Sequence, residues 1–168
     1  MKICRAHLIV LATVSFALGA AACGDSALPT SRVEHHGLVV EFKLACIQND
    51  IALSGTILNS TSQLIRIESG SLPWQYDPLG SEFRAESAGK ALTRNEAAAL
   101  IGRTGPIKLA TQERRSGSTP IGFMFPDMKT LLAKKQSVTV HWKYLVSVTP
   151  EDAMEGTIDI GQDPCVHH

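Results

Sequence analysis

From Gly37 onward, apolar and polar residues alternate with a period of two. Leu38, Val40, Phe42, Leu44 and Cys46 share one face of residues 38–46, while Glu41 and Lys43 point the other way. In 51–59, Ile51, Leu53, Gly55 and Ile57 alternate with Ala52, Ser54 and Thr56. The polar cluster Asn59-Ser60-Thr61-Ser62 then leads to Leu64-Ile65-Arg66-Ile67, which predicts two antiparallel neighbours joined by a short loop. Pro106-Ile107-Lys108-Leu109 is a further short strand, and Ile121, Phe123 and Phe125 alternate with Gly122 and Met124 as another. The clearest strand is 137–148, with Val138, Val140, Trp142, Tyr144, Val146 and Val148 inward and Thr139, His141, Lys143 and Leu145 outward. One buried and one solvated face is the antiparallel pattern. Ile158 and Ile160 mark a last strand over 156–160.

Two short helices interrupt the strands. Thr93-Arg94-Asn95-Glu96 is a capping-box sequence, propagated by Ala97–Leu100 and closed by Gly102. Asp127 is placed to cap a helix over Met128–Lys135, where Lys134 and Lys135 suit the negative C-terminal end of the dipole. The expected fold is all-β and mainly antiparallel: an immunoglobulin-like β-sandwich of about seven strands with one or two short helical excursions. A small closed barrel is the structural rival. The 51–59 strand, its Asn-Ser turn and 64–67 resemble the paired strands of bacterial immunoglobulin-like modules, a likeness that carries no functional residue with it.

The first residues follow a different pattern. Lys2 and Arg5 precede an apolar run from Leu8 to Leu18, and Gly19-Ala20-Ala21-Ala22 leads to Cys23. This is the order of an export signal over residues 1–22, and the run is shorter than the roughly 20 apolar residues of a membrane span. Ala20-Ala21-Ala22-Cys23 resembles the cleavage site of bacterial lipoprotein precursors, with Ala20 where those precursors usually carry Leu. The resemblance implies that Cys23 carries the lipid. It also implies, because Gly24 replaces the Asp of inner-membrane retention, an outer-membrane anchor facing the periplasm. Ordinary secretory cleavage after Ala22 and an uncleaved anchor helix are the alternatives. Residues 23–36 are poor in large apolar groups and read as a tether, leaving 37–168 as a single domain.

Charge and cysteine arithmetic narrow the picture. The chain has 16 Lys+Arg and 16 Asp+Glu; removing Lys2 and Arg5 with the leader leaves 16 − 2 = 14 basic against 16 acidic residues. Without a basic excess, nucleic acid is disfavoured as a partner. Cys4 leaves with the leader, and lipid on Cys23 leaves Cys46 and Cys165 as an even pair in an oxidising compartment. In an immunoglobulin-like sandwich the first and last strands run side by side. Cys46 at the end of the first and Cys165 just past the last would then meet at one pole.

The remaining candidates are few. His35-His36 and His167-His168 could contribute metal ligands, but there is no His-x-x-x-His and no closely spaced cysteine pair, so no metal and no cofactor is assigned. No Gly-x-Ser-x-Gly turn and no phosphate-cradling glycine loop is present. His141 has no acidic neighbour that sequence can assign, and Glu82, Glu86 and Glu96 read as solvated. Trp74 and Tyr76, after the strand-breaking Pro73, are partner-binding candidates that equally suit a buried plug at one end of the sandwich. Arg114 and Arg115 read as a solvated hairpin tip that can touch a partner or anionic lipid. These features point to a non-catalytic, membrane-tethered periplasmic binding or accessory module with a protein partner, such as an inhibitor or immunity protein. The alternatives are a structural component of an envelope assembly and an unrecognised hydrolase.

Overall fold

The computed structural model of the chain describes residues 28–68, 71–75, 81–95, 105–147 and 152–166. The first three strands, β1 (Thr30–His35), β2 (Leu38–Ile47) and β3 (Asp50–Asn59), form an antiparallel meander. Its two links are two residues each. His36-Gly37 have φ of 48° and 75°, and Gln48-Asn49 have φ of 52° and 61°. Positive φ at both central residues is the mark of a type I′ turn, whose twist matches that of the flanking strands. Gly37 serves twice, because a Cβ there would also overlap the Thr61 methyl.

The chain continues through β4 (Ile65–Ile67), β5 (Ser81–Ser87), β6 (Lys90–Ala91), β7 (Ile107–Leu109) and β8 (Arg114–Thr119). Two short helices follow, α1 (Ile121–Met124) and α2 (Asp127–Ala133), then β9 (Val138–Leu145) and β10 (Ala153–Ile160). The strands form two four-stranded sheets, β1-β2-β3-β8 and β10-β9-β5-β6, and a small β4-β7 ribbon. All pairings are antiparallel. Lettering β2, β3, β5, β6, β8, β9 and β10 as A, B, C, C′, E, F and G gives A-B-E opposite G-F-C-C′, the immunoglobulin order, with β1 added outside A.

The core lies between the sheets. Leu38, Val40, Phe42, Leu53 and Ile57 face Phe83, Val140, Trp142, Tyr144 and Ile158, all buried. At its centre the Phe42 ring meets Phe83 edge-on at 5.6 Å and Trp142 at 5.2 Å. Such aromatic pairs add about 0.5–1.5 kcal/mol each beyond area burial. β9 alternates buried and half-buried residues along its whole length, as its sequence requires. Along one side, β1 lies against β10: Trp142 Nε1 donates to the buried Ser31 Oγ at 3.0 Å, and a Cβ on Gly156 would crowd that oxygen.

Several expectations are corrected. Thr30–His35, expected as tether, is a strand paired to β2 along its full length, so the sandwich begins before Gly37. The 64–67 strand does not pair with 51–59; it pairs with 107–109, while β3 lies between β2 and β8. Residues 121–124 form a helix that ends at Phe125. Within it Ile121 and Met124 bury, three residues apart as on a helix, while Phe123 is 49% exposed. β5 escaped a period-two reading because only Phe83 and Ala85 represent its apolar face between Glu82, Arg84 and Glu86. The helix expected over Met128–Lys135 is shorter, Asp127–Ala133: Pro126 holds the N-cap position without a side-chain cap bond, Asp127 lies in the first turn instead of capping it, and Lys134 and Lys135 fall at and beyond the C-cap. Most of the helix expected over Thr93–Gly102 lies outside the described residues.

Candidate functional site

The sandwich has two distinct poles. Cys46, near the end of β2, is bonded to Cys165, which follows β10. Their Cα atoms are 5.0 Å apart and 119 residues apart in sequence. The shared pole was legible in the sequence, although Cys46 lies on the second strand rather than the first. The chain enters here as well: Thr30 is opposite Lys43, and Leu44 N donates to Pro29 O at 2.9 Å. α1 joins this pole, since Gly122 sits over Asp50 and Ile51 at the start of β3. The opposite pole carries the His36-Gly37 turn, the 60–63 loop and the start of β10. Cys23 lies outside the described residues, among which no helix is long and apolar enough to cross a membrane.

Trp74 is part of a tight turn. Gln75 N donates to Leu72 O at 2.8 Å, and Thr119 Oγ1 donates to Trp74 O at 3.0 Å. Its half-buried indole lies over the cross-strand pair Gly55–Gly117, whose missing Cβ atoms leave the slot that it fills. Trp74 is therefore a plug on the β8 side of the sandwich. Tyr76 lies outside the described residues. A methyl group at Gly117 would overlap the indole ring. Gly117→Ala should expel Trp74, red-shift tryptophan emission and cost about 1–3 kcal/mol. An unchanged emission spectrum would show that the indole does not depend on this slot.

Arg114 and Arg115 are not a hairpin tip. They sit on β8, opposite Leu58 and Ile57. Arg114 is exposed. Arg115 donates from Nε to Glu113 Oε1 at 2.7 Å and from its terminal nitrogen to Lys108 O at 3.0 Å, joining β8 to β7. Glu113 also accepts the Ala110 amide at 2.7 Å. That amide first, and Arg115 second, hold its carboxyl below the ordinary value of 4.5.

A groove of about 760 Å³ lies on the solvent face of β10-β9-β5-β6. Its floor is laid out in register: Glu82, Lys143 and Glu155 form one row, and Arg84, His141 and Thr157 the next. The charges pair with one another. Arg84 Nε is 2.7 Å from Glu82, Lys143 Nζ is 2.7 Å from Glu155, and His141 Nε2 is 3.5 Å from Glu86. Sequence reasoning left Glu82 and Glu86 as solvated carboxylates and gave His141 no acidic neighbour. The usable signal was the charge at every second residue of 82–86. Exposed pairs of this kind contribute about 0–1 kcal/mol each, so a partner can exchange them at small cost. Comparison of the sequence with the known protein families and with curated proteins finds no match, and the site is read from its own geometry.

Proposed function

We propose that this chain is a lipid-anchored, non-catalytic binding module of the bacterial envelope, offering its charged groove to a protein partner in the periplasm. The observation that carries the reading is the groove itself: a rigid four-stranded floor whose ion pairs can be exchanged for those of a partner. The direction of the chain supports the anchor. Only six residues lie between Cys23 and Thr30, seven steps of chain that span at most ~25 Å when extended. An anchor at Cys23 therefore holds the disulfide pole toward the membrane. Leu28, Phe123 and Val166, exposed apolar residues, belong to segments at that pole. Inhibition of an exported hydrolase, or immunity against one, needs no more than such a rigid face.

The test is cross-linking of the full chain in its native membranes. A photoreactive group at Thr157 should capture one envelope protein. Arg84→Glu with Lys143→Glu should reduce that capture at least tenfold, while Lys135→Glu should not. Capture that ignores the groove charges would defeat the binding assignment. Cys23→Ser should release the protein from membranes, and continued retention would defeat the lipid anchor.

A further inference from the structure

We infer that His35, His36 and Asp152 form a binding site for a borderline divalent metal ion, with zinc as its probe, at the pole opposite the disulfide. The ligand atoms of these three residues all lie within 4.8 Å of one another. His35 ends β1, His36 begins the β1–β2 turn, and Asp152 is the residue just before β10, so the strand pairing of both hairpins fixes the spacing. His35 Nε2 is 3.8 Å from Asp152 Oδ1, beyond hydrogen-bond reach. That nitrogen is shielded from solvent and has no hydrogen-bond partner. A shielded polar atom without a partner calls for a physical reason, and a bound cation supplies one.

The surroundings suit a metal. Asp152 Oδ2 accepts the Ser147 hydroxyl at 2.7 Å, the kind of outer hydrogen bond that orients a ligating carboxylate. His36 has φ of 48°, an uncommon conformation for a residue with a side chain, and it sets the two imidazoles with ring centres 4.1 Å apart. Metal–nitrogen and metal–oxygen bonds of about 2.0–2.2 Å place tetrahedral ligand atoms roughly 3.3–3.5 Å apart. Movements of about 1 Å in side chains at a turn reach that distance. Two imidazoles and a carboxylate suit zinc or copper over magnesium or calcium, which prefer all-oxygen shells. Three protein ligands leave a fourth position for water or for a partner's side chain.

The site stands apart from the anchor and the groove, so its test is separate. Zinc is titrated calorimetrically into the full chain in detergent, and cobalt substitution is followed by visible absorption. Wild type should bind one equivalent and give the d–d bands of a nitrogen and oxygen site. His36→Asn retains a residue suited to the Asn-Gly form of the type I′ turn, so the metal-free variant should melt at or above the wild-type temperature. It should nonetheless bind zinc at least tenfold more weakly, and Asp152→Asn should do the same. Removal of His167 and His168 should leave the affinity unchanged. No saturable heat in wild type, or unchanged binding in His36→Asn, would overturn the site.

Discussion

Replacing Cys46 and Cys165 together by serine is expected to lower the stability of the domain by about 4–5 kcal/mol. The bond closes a chain separation of 119 residues. Chain-entropy reasoning assigns about that much to so long a loop, because the cross-link removes most of the extended conformations of the unfolded state. Domains of this kind are stable by about 5–15 kcal/mol in total, so the loss is a large share of what holds the fold. The folded state is affected too. The bond joins the end of β2 to the segment after β10, where the termini of the described domain meet, and without it that pole should fray first. Urea unfolding of the double variant should show a lower midpoint and a steeper dependence on denaturant, since the unfolded chain exposes more surface. Wild type under reducing conditions should coincide with the variant. A difference below about 1 kcal/mol from the oxidised protein would show that the unfolded chain is already compact at these positions.

Asn59→Leu is expected to cost about 3–4 kcal/mol, a large effect for a residue in a polar turn sequence. Asn59 is fully buried. Its Nδ2 donates to the carbonyls of Gln63 at 2.7 Å, Ala110 at 3.0 Å and Leu109 at 3.1 Å. Its Oδ1 accepts from the Thr61 amide at 2.9 Å and the Thr61 hydroxyl at 2.8 Å. A two-proton amide nitrogen serving three carbonyls is fully used, and one side chain thereby ties the end of β3 to the 60–63 loop and to the end of β7. Leucine has similar bulk but leaves these groups without partners. Each unsatisfied buried group costs about 1–3 kcal/mol, and the loop can turn some of them to water. Asn59→Asp keeps the shape but places an acceptor against three acceptors, and should lose as much at neutral pH. Denaturant unfolding measures the loss, and hydrogen exchange should find it concentrated in β4 and β7. A cost under about 1 kcal/mol would mean that the loop holds its own conformation.

These two residues divide differently between sequence and structure. The cysteine pair was readable because it depends on strand direction alone: β2 and β10 both run toward one pole, and a sandwich of alternating strands implies as much. Asn59 was readable only as a turn former. Its burial depends on Leu109 and Ala110, about fifty positions away, and on a β4-β7 ribbon that no local pattern announces. The groove lies between these cases. The charges of β5 stand at every second residue, but the approach of His141 to Glu86 and of Lys143 to Glu155 is set by the registers of β9 with β5 and β10. His35-His36 were visible as adjacent imidazoles, while Asp152 reaches them only when β10 is folded against β1.

The sequence by itself determined the periodicities, and with them the antiparallel sandwich, the inward face of β2, β3 and β9, and the pole shared by Cys46 and Cys165. Those properties follow from side chains that alternate across a strand, and the chain carries that alternation whether or not it is folded. Tertiary structure decided the rest. It drew Thr30–His35 out of the expected tether, because β2 offered a free edge for Val33 and Ser31 to pair along. It made 121–124 a helix, in which Ile121 and Met124 bury together three residues apart while Phe123 stays exposed. It seated Trp74 over Gly55 and Gly117, and it brought Asp152 to His35 and His36. The Trp74 and Asp152 contacts join positions far apart in the chain, whose free energy no local window contains.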